Sequence, residues 1–168
     1  MNTVDIEASA FLQWTPGSMR RGEGPTARPA GGRRPAYGSS IGLSDRSGQE
    51  VVEMLRQALP VAAFEQLRDA LEVSARALAA TTNIAVRTLA RRKGEGRLRK
   101  DESERLLRIG ALFDQATQVL EGRDAARQWL KSPKRALGGR SPLEYADTEP
   151  GAREVENLLI RLEYGVFS

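Results

Sequence analysis

From Val51 onward the large apolar residues recur every three or four positions, which is the spacing of a helix with one buried face, and no alternating strand-like pattern competes with it. Ser47 followed by Glu50 forms a capping box, and Val51, Val52, Leu55 and Leu59 supply the first apolar stripe. Pro60 opens a second helix carrying Phe64, Leu67 and Leu71. Ser74 caps a third with Leu78 and Ala79 inward, and a fourth follows Thr82-Asn83-Ile84 with Leu89 inward. After a turn at Gly94 to Gly96, Asp101 with Glu104 predicts a second capping box. It starts a long helix through Leu106, Leu107, Ile109, Leu112, Phe113 and Leu120, ending near Gly122. These segments predict a four- or five-helix bundle with a core of Val51, Leu55, Phe64, Leu67, Leu71, Leu78, Ile84, Leu89 and Leu106.

Beyond it the pattern predicts a separate compact helical unit. Residues 123–130 form a helix with Ala126, Trp129 and Leu130 inward, and Leu137-Gly138-Gly139 is a tight turn. Ser132-Pro133 and Ser141-Pro142 both read as helix starts, the second strengthened by Glu144. Asp147 or Thr148 caps a final helix with Val155, Leu158, Leu159 and Leu162 on its apolar face, and Gly165 releases Val166-Phe167-Ser168 as a tail. At the other end, residues 3–14 form a short helix at most. Pro16 to Gly42 is rich in Pro, Gly and Arg and too poor in aliphatic residues to build a core, so order is expected to begin at Ser47. The expected class is all-α: a leader over residues 1–46, a helix-turn-helix bundle over 47–122 and a small helical domain over 123–168.

Charge sharpens the reading of the middle. Val73 to Lys100 holds eight basic residues against Glu95 alone, a net +7, whereas the segments before and after it are slightly negative. Asn83 sits where the turn between the third and fourth helices needs a residue that tolerates positive φ. The pair therefore reads as a helix-turn-helix whose second helix enters a major groove. The expected DNA-binding set is Arg76, Thr82, Val86, Arg87, Thr88, Arg91, Arg92, Lys93, Arg97, Arg99 and Lys100. Arg87 and Arg91 are placed to read bases, and Arg92, Lys93, Arg97 and Lys100 to meet phosphates. The arginines of the leader are more simply solubilising than a DNA-binding arm.

Cysteine and histidine are both absent, which removes disulfides, thiolate chemistry, the usual general base and the commonest metal ligand. Asp147, Thr148, Glu149 and Tyr145 have no nucleophile–base partner or phosphate loop beside them, so neither catalysis nor a cofactor is expected. A signal peptide and a membrane-length apolar run are also missing, which points to the cytoplasm.

The C-terminal string is the most specific part of the chain. Ala126, Trp129-Leu130, Pro133, Ala136-Leu137-Gly138-Gly139, Pro142-Leu143, Asp147-Thr148, Gly151, Val155, Leu159, Arg161 and Tyr164-Gly165 together resemble the toxin-binding domain of Xre/MbcA/ParS-type antitoxins. With a DNA-binding region upstream, the resemblance spans about residues 47–168. Ala85 stands where a Ser or Thr cap often opens the second helix of the motif, and Thr82-Asn83 replaces the more familiar Leu-Gly.

The resemblance implies a type II toxin–antitoxin system with a RES-domain toxin that degrades NAD. It further implies a homodimer that binds operator double-stranded DNA, represses its own operon and blocks the toxin's active site with its C-terminal domain. Apolar residues of the first two helices, with Leu112 and Phe113, look more numerous than one small bundle needs, which fits a dimer. The residues expected to face the toxin are Arg153, Glu156, Ile160, Arg161, Tyr164, Gly165, Val166, Phe167 and Ser168, with Phe167 and the terminal carboxylate entering its cleft. The competing account is a dimeric helix-turn-helix repressor without a toxin partner.

Overall fold

The computed structural model describes residues 38–44 and 46–165. The short helix expected over 3–14, most of the Pro/Gly/Arg-rich leader, and the tail residues Val166, Phe167 and Ser168 lie outside the described residues. Within them the chain is all-α. Eight helices follow one another: α1 (Gly48–Arg56), α2 (Val61–Leu71), α3 (Ala75–Thr81), α4 (Val86–Glu95), α5 (Lys100–Val119), α6 (Arg123–Lys131), α7 (Pro142–Tyr145) and α8 (Glu149–Glu163).

Several of the predicted caps are formed. The Ser47 hydroxyl accepts from the Glu50 amide, and the Glu50 carboxylate accepts from the Ser47 amide at 2.7 Å. Ser74 accepts from the Ala77 amide at 3.1 Å, and Ser141 pairs reciprocally with Glu144. Thr148, rather than Asp147, caps α8 by accepting from the Gly151 amide at 3.2 Å. Two starts differ from expectation. Helix α5 begins at Lys100, with the Arg99 amide donating to the Glu102 carboxylate at 2.7 Å, so Asp101 and Glu104 form no capping box. Ser132 ends α6 instead of opening a helix: its hydroxyl donates to the Gln128 carbonyl at 2.6 Å. Its extended backbone is the conformation that a following proline enforces.

Order also begins earlier than Ser47. Ile41 and Leu43 are buried, and a 3-10 turn over Ser39–Ile41 docks on α5. The Ser40 amide donates to Asp114 at 3.0 Å and the Ser40 hydroxyl to the Gly110 carbonyl at 3.2 Å. Gly110 makes this approach possible, since a Cβ there would lie 3.1 Å from the Ser40 hydroxyl oxygen and 3.2 Å from an Ile41 methyl. Local composition hides such a segment, because its slot is made about seventy residues away. Asp114, half-buried and capping the turn, has its pKa pushed up to about 6 by burial, with the Ser40 hydrogen bonds opposing.

One continuous core runs from Ile41 to Leu159. All nine residues named for the bundle core take part, Leu55 only partly buried. Val52 departs from its stripe and is half exposed, while Leu59 is fully buried just past the end of α1. Its carbonyl accepts from the Leu98 amide at 2.9 Å in a short bridge that ties the α1–α2 corner to the segment after α4. Leu112 and Phe113 are buried within the chain, at 6% and 1% exposure, so they are not a surplus left for a dimer.

Residues 123–165 pack on the bundle rather than standing apart from it. Both α6 and α8 pack on α5. Arg127 donates to the Ala70 carbonyl at 2.7 Å, and Lys131 donates to the Leu71 carbonyl at 3.2 Å. Two cations of α6 thereby satisfy carbonyls at the C-terminal end of α2, where positive charge also meets the negative end of the helix dipole.

Candidate functional site

The helix-turn-helix is built as its residues require. Leu78, Ala79, Ile84 and Leu89 are buried in the angle between α3 and α4, with small Ala79 at the crossing. Asn83 adopts φ 53°, and the Ile84 amide returns to the Ala79 carbonyl at 2.8 Å to close the turn. Arg105, on α5, braces it by donating to the Thr82 carbonyl at 2.7 Å.

Helix α4 turns Leu89 and Arg92 inward, which by helical phase places Arg87, Ala90 and Gly94 along the opposite line, with Val86 and Arg91 beside it. All five are exposed. Nothing lies within 4 Å of where a Gly94 Cβ would stand. The outer line therefore combines one long cation with two minimal side chains, a profile that lets a helix backbone approach another surface closely. Charge gives no hint of this; counting turns outward from Leu89 finds it.

The expected DNA-binding residues divide into distinct groups. Arg76 and Arg87 are exposed, and their side chains make no ion pair or hydrogen bond among the described residues. Arg91 is exposed with Glu95 at 3.6 Å, Lys100 with Glu104 at 3.9 Å, and Arg99 is exposed at the start of α5. Thr88 is half-buried. Lys93 is exposed but holds Glu65 at 2.8 Å, and Arg97 donates to the carbonyls of Gln57 and Ala58, binding the end of α1.

Two residues are corrected. Thr82 is fully buried, its hydroxyl donating to the Leu78 carbonyl at 2.7 Å, so it finishes α3 instead of facing outward. Arg92 is 4% exposed and donates to Glu102 at 2.8 and 3.1 Å and to Glu95 at 2.5 Å. These bonds, Glu102 first, raise its pKa further above the ordinary arginine range. Burial pulls the Glu102 carboxyl up, yet the bonds from Arg92 and the Arg99 amide hold it below its usual value. Arg92 is thus a strut between α4 and α5. Its position on the same helical side as Leu89 is the signal in the sequence, masked by the run of basic neighbours.

The second face is on α8. Val155 and Leu159 are fully buried, and Gly151 is obligatory because a Cβ there would run into the Tyr145 carbonyl oxygen. On the other side Arg153, Glu156, Ile160, Arg161, Tyr164 and Gly165 are all exposed, with Ile160 and Tyr164 one turn apart at 38% and 73%. Arg153 pairs with Glu149 at 2.6 Å, and Arg108 of α5 reaches the same carboxylate at 3.4 Å. Trp129 is half-buried, with the Lys134 ammonium 5.2 Å above its ring and the Lys134 pKa lowered by burial. Among the described residues no acidic cluster is arranged to hold a metal, and no helix is long and apolar enough to cross a membrane.

Comparison with known proteins finds two family domains along the chain. Residues 50–110 match the antitoxin Xre-like helix-turn-helix domain, and residues 115–165 match the antitoxin Xre/MbcA/ParS C-terminal toxin-binding domain. An Antitoxin Xre of Photorhabdus laumondii is 33% identical over 131 residues, covering 77% of this chain and 88% of that protein. An Antitoxin Xre of Yersinia enterocolitica is 34% identical over 130 residues, covering 76% and 88%. A Prs ADP-ribosylating antitoxin of a Sphingobium species is 24% identical over 127 residues, covering 70% and 80%. With both domains present in order, and relatives matched across both, the chain belongs to the Xre/MbcA/ParS family of type II antitoxins.

Proposed function

We propose that this antitoxin neutralises a cognate RES-type, NAD-degrading toxin through the outer face of α8, and that as a homodimer it binds operator DNA through α4 to repress its own operon. The observation that carries the toxin half is the exposed pair Ile160 and Tyr164. They are apolar anchors one turn apart, flanked by Arg153, Glu156 and Arg161, on a helix whose other side is fully used for packing. A central aromatic with a polar surround is the composition of an interface hot spot. The Sphingobium relative carries ADP-ribosylation in its name, and ADP-ribosyl transfer draws its group from NAD, which supports a toxin that consumes NAD. For the DNA half, the support is the exposed line of α4, which includes the unpaired Arg87, together with the exposed and unpaired Arg76 of α3. Two copies reading two half-sites would give such a small unit enough contact with a duplex.

The test follows NAD loss by the toxin encoded beside this chain. Wild-type antitoxin suppresses it, and Tyr164→Ala weakens suppression by about 2 kcal/mol if the residue is a hot spot. Unchanged suppression by Tyr164→Ala and by Ile160→Glu together would place the blocking surface elsewhere. A variant lacking residues 166–168 measures what the expected tail adds. Light scattering with and without DNA reports the dimer.

A further inference from the structure

Four large hydrophobic side chains are exposed among the described residues: Val52, Val86, Ile160 and Tyr164. Ile160 and Tyr164 belong to the face of α8, and Val52 lies on α1, but Val86 has no such neighbour. It is the first residue of α4, 58% exposed, beside the free Arg87 and next to a line of minimal side chains at Ala90 and Gly94. We infer that Val86 is a specificity-determining residue that packs on the 5-methyl group of a thymine in the operator's major groove. The inference rests on the DNA-binding reading above and deepens it.

Three features support it. The first residues of a recognition helix are those that reach base edges. In the major groove the thymine methyl is the apolar feature a side chain can read, and aliphatic or methyl-bearing side chains are its partners. The small line at Ala90 and Gly94 lets the helix descend far enough for a short β-branched side chain to touch that methyl. Val86 also contributes nothing to the core, and the cap of α4 does not depend on it. Its exposed isopropyl group thus has no role within the described fold.

The experiment changes the DNA before it changes the protein. The full chain selects its preferred site from random duplexes, and each thymine of that site is then replaced by deoxyuridine, which removes the methyl and leaves base pairing intact. Wild-type binding should weaken about fourfold for each contacted methyl, the factor corresponding to one methyl group withdrawn from apolar contact. Val86→Ser, compared on the same duplexes, should bind thymine and deoxyuridine sites alike. Tolerance of deoxyuridine at every position, or equal sensitivity in Val86→Ser, overturns the inference while leaving DNA binding intact. If no sequence is selected at all, the DNA-binding reading falls, and this inference with it.

Discussion

The helix-turn-helix and the C-terminal block are both rich in charge, yet they divide it differently between internal contacts and the surface. In α6, Arg127 and Lys131 turn back onto the carbonyls of α2, and their charge is spent holding the chain together. In the helix-turn-helix the cations divide. Arg92, Lys93 and Arg97 serve internal contacts, while Arg76 and Arg87 remain unpaired at the surface. Net charge over a segment therefore overstates what is offered to a polyanion. The pairing of each guanidinium decides, and only geometry reveals it. The faces differ in relief as well: α4 presents minimal side chains, whereas α8 presents Ile160 and Tyr164.

The strongest way to break this contrast is to remove a strut. Glu102→Ala leaves Arg92 buried beside only Glu95 and should destabilise the protein by about 3–5 kcal/mol. Denaturant titration would measure it, and replacing Arg92 and Glu102 together with Met and Leu should recover much of the loss. An Arg92 that merely touched DNA would leave stability unchanged.

Gly151→Ala probes the other block. The added methyl runs into the Tyr145 carbonyl, so the corner between α7 and α8 must shift, at a cost of about 1–3 kcal/mol or more. Toxin inhibition should fall while DNA binding by α4 persists. By contrast Trp129→Ala, at a half-buried site, should cost less than the roughly 3–5 kcal/mol typical of a fully buried aromatic.

Arg87→Ala sharpens the contrast from the DNA side. If the proposed contact of its guanidinium with a base is bidentate, the substitution weakens operator binding by about 1–3 kcal/mol, with no change in melting temperature. Lys93→Ala should instead act mainly through its Glu65 pair, a surface interaction worth about 1 kcal/mol or less.

The docked segment before α1 has its own pH signature. Burial raises the Asp114 pKa from its ordinary 3.8 to about 6. The folded state thus binds the proton more tightly than the unfolded chain does. The associated stability is fully present below pH 3.8 and is lost as pH rises through 6. Asp114→Asn should therefore be more stable than wild type at pH 7, by on the order of 1–2 kcal/mol after allowance for residual exposure, with the gap closing toward pH 4. The smallest effect is Gly94→Ala, which should stabilise the helix by about 0.5–1 kcal/mol without disturbing any neighbour.

Much of this is legible in the sequence, for identifiable reasons. Helical spacing finds the bundle core, and Ser47, Ser74 and Ser141 announce their helices because a cap depends on residues three apart. The docking of Ile41 and Leu43 stays hidden because it depends on a missing side chain at Gly110. Arg92 is misplaced by charge alone because a guanidinium's destination depends on Glu102, ten residues away on another helix. The packing of residues 123–165 on α5 is hidden too, since their caps are local but that packing is not.

Helix α5 carries a consequence for building hybrids of this protein. The two family matches meet between residues 110 and 115, within a continuous helix of 20 residues rather than at a loop. Recombining the halves of two relatives therefore works only in phase. One residue inserted at the junction would rotate everything after it by about 100° and advance it by about 1.5 Å, whereas seven residues, close to two full turns, would nearly restore its heading. Because Arg127 and Lys131 reach back from beyond the junction to the carbonyls of α2, an insertion would also pull those contacts apart, so the halves exchange only by substitution in register.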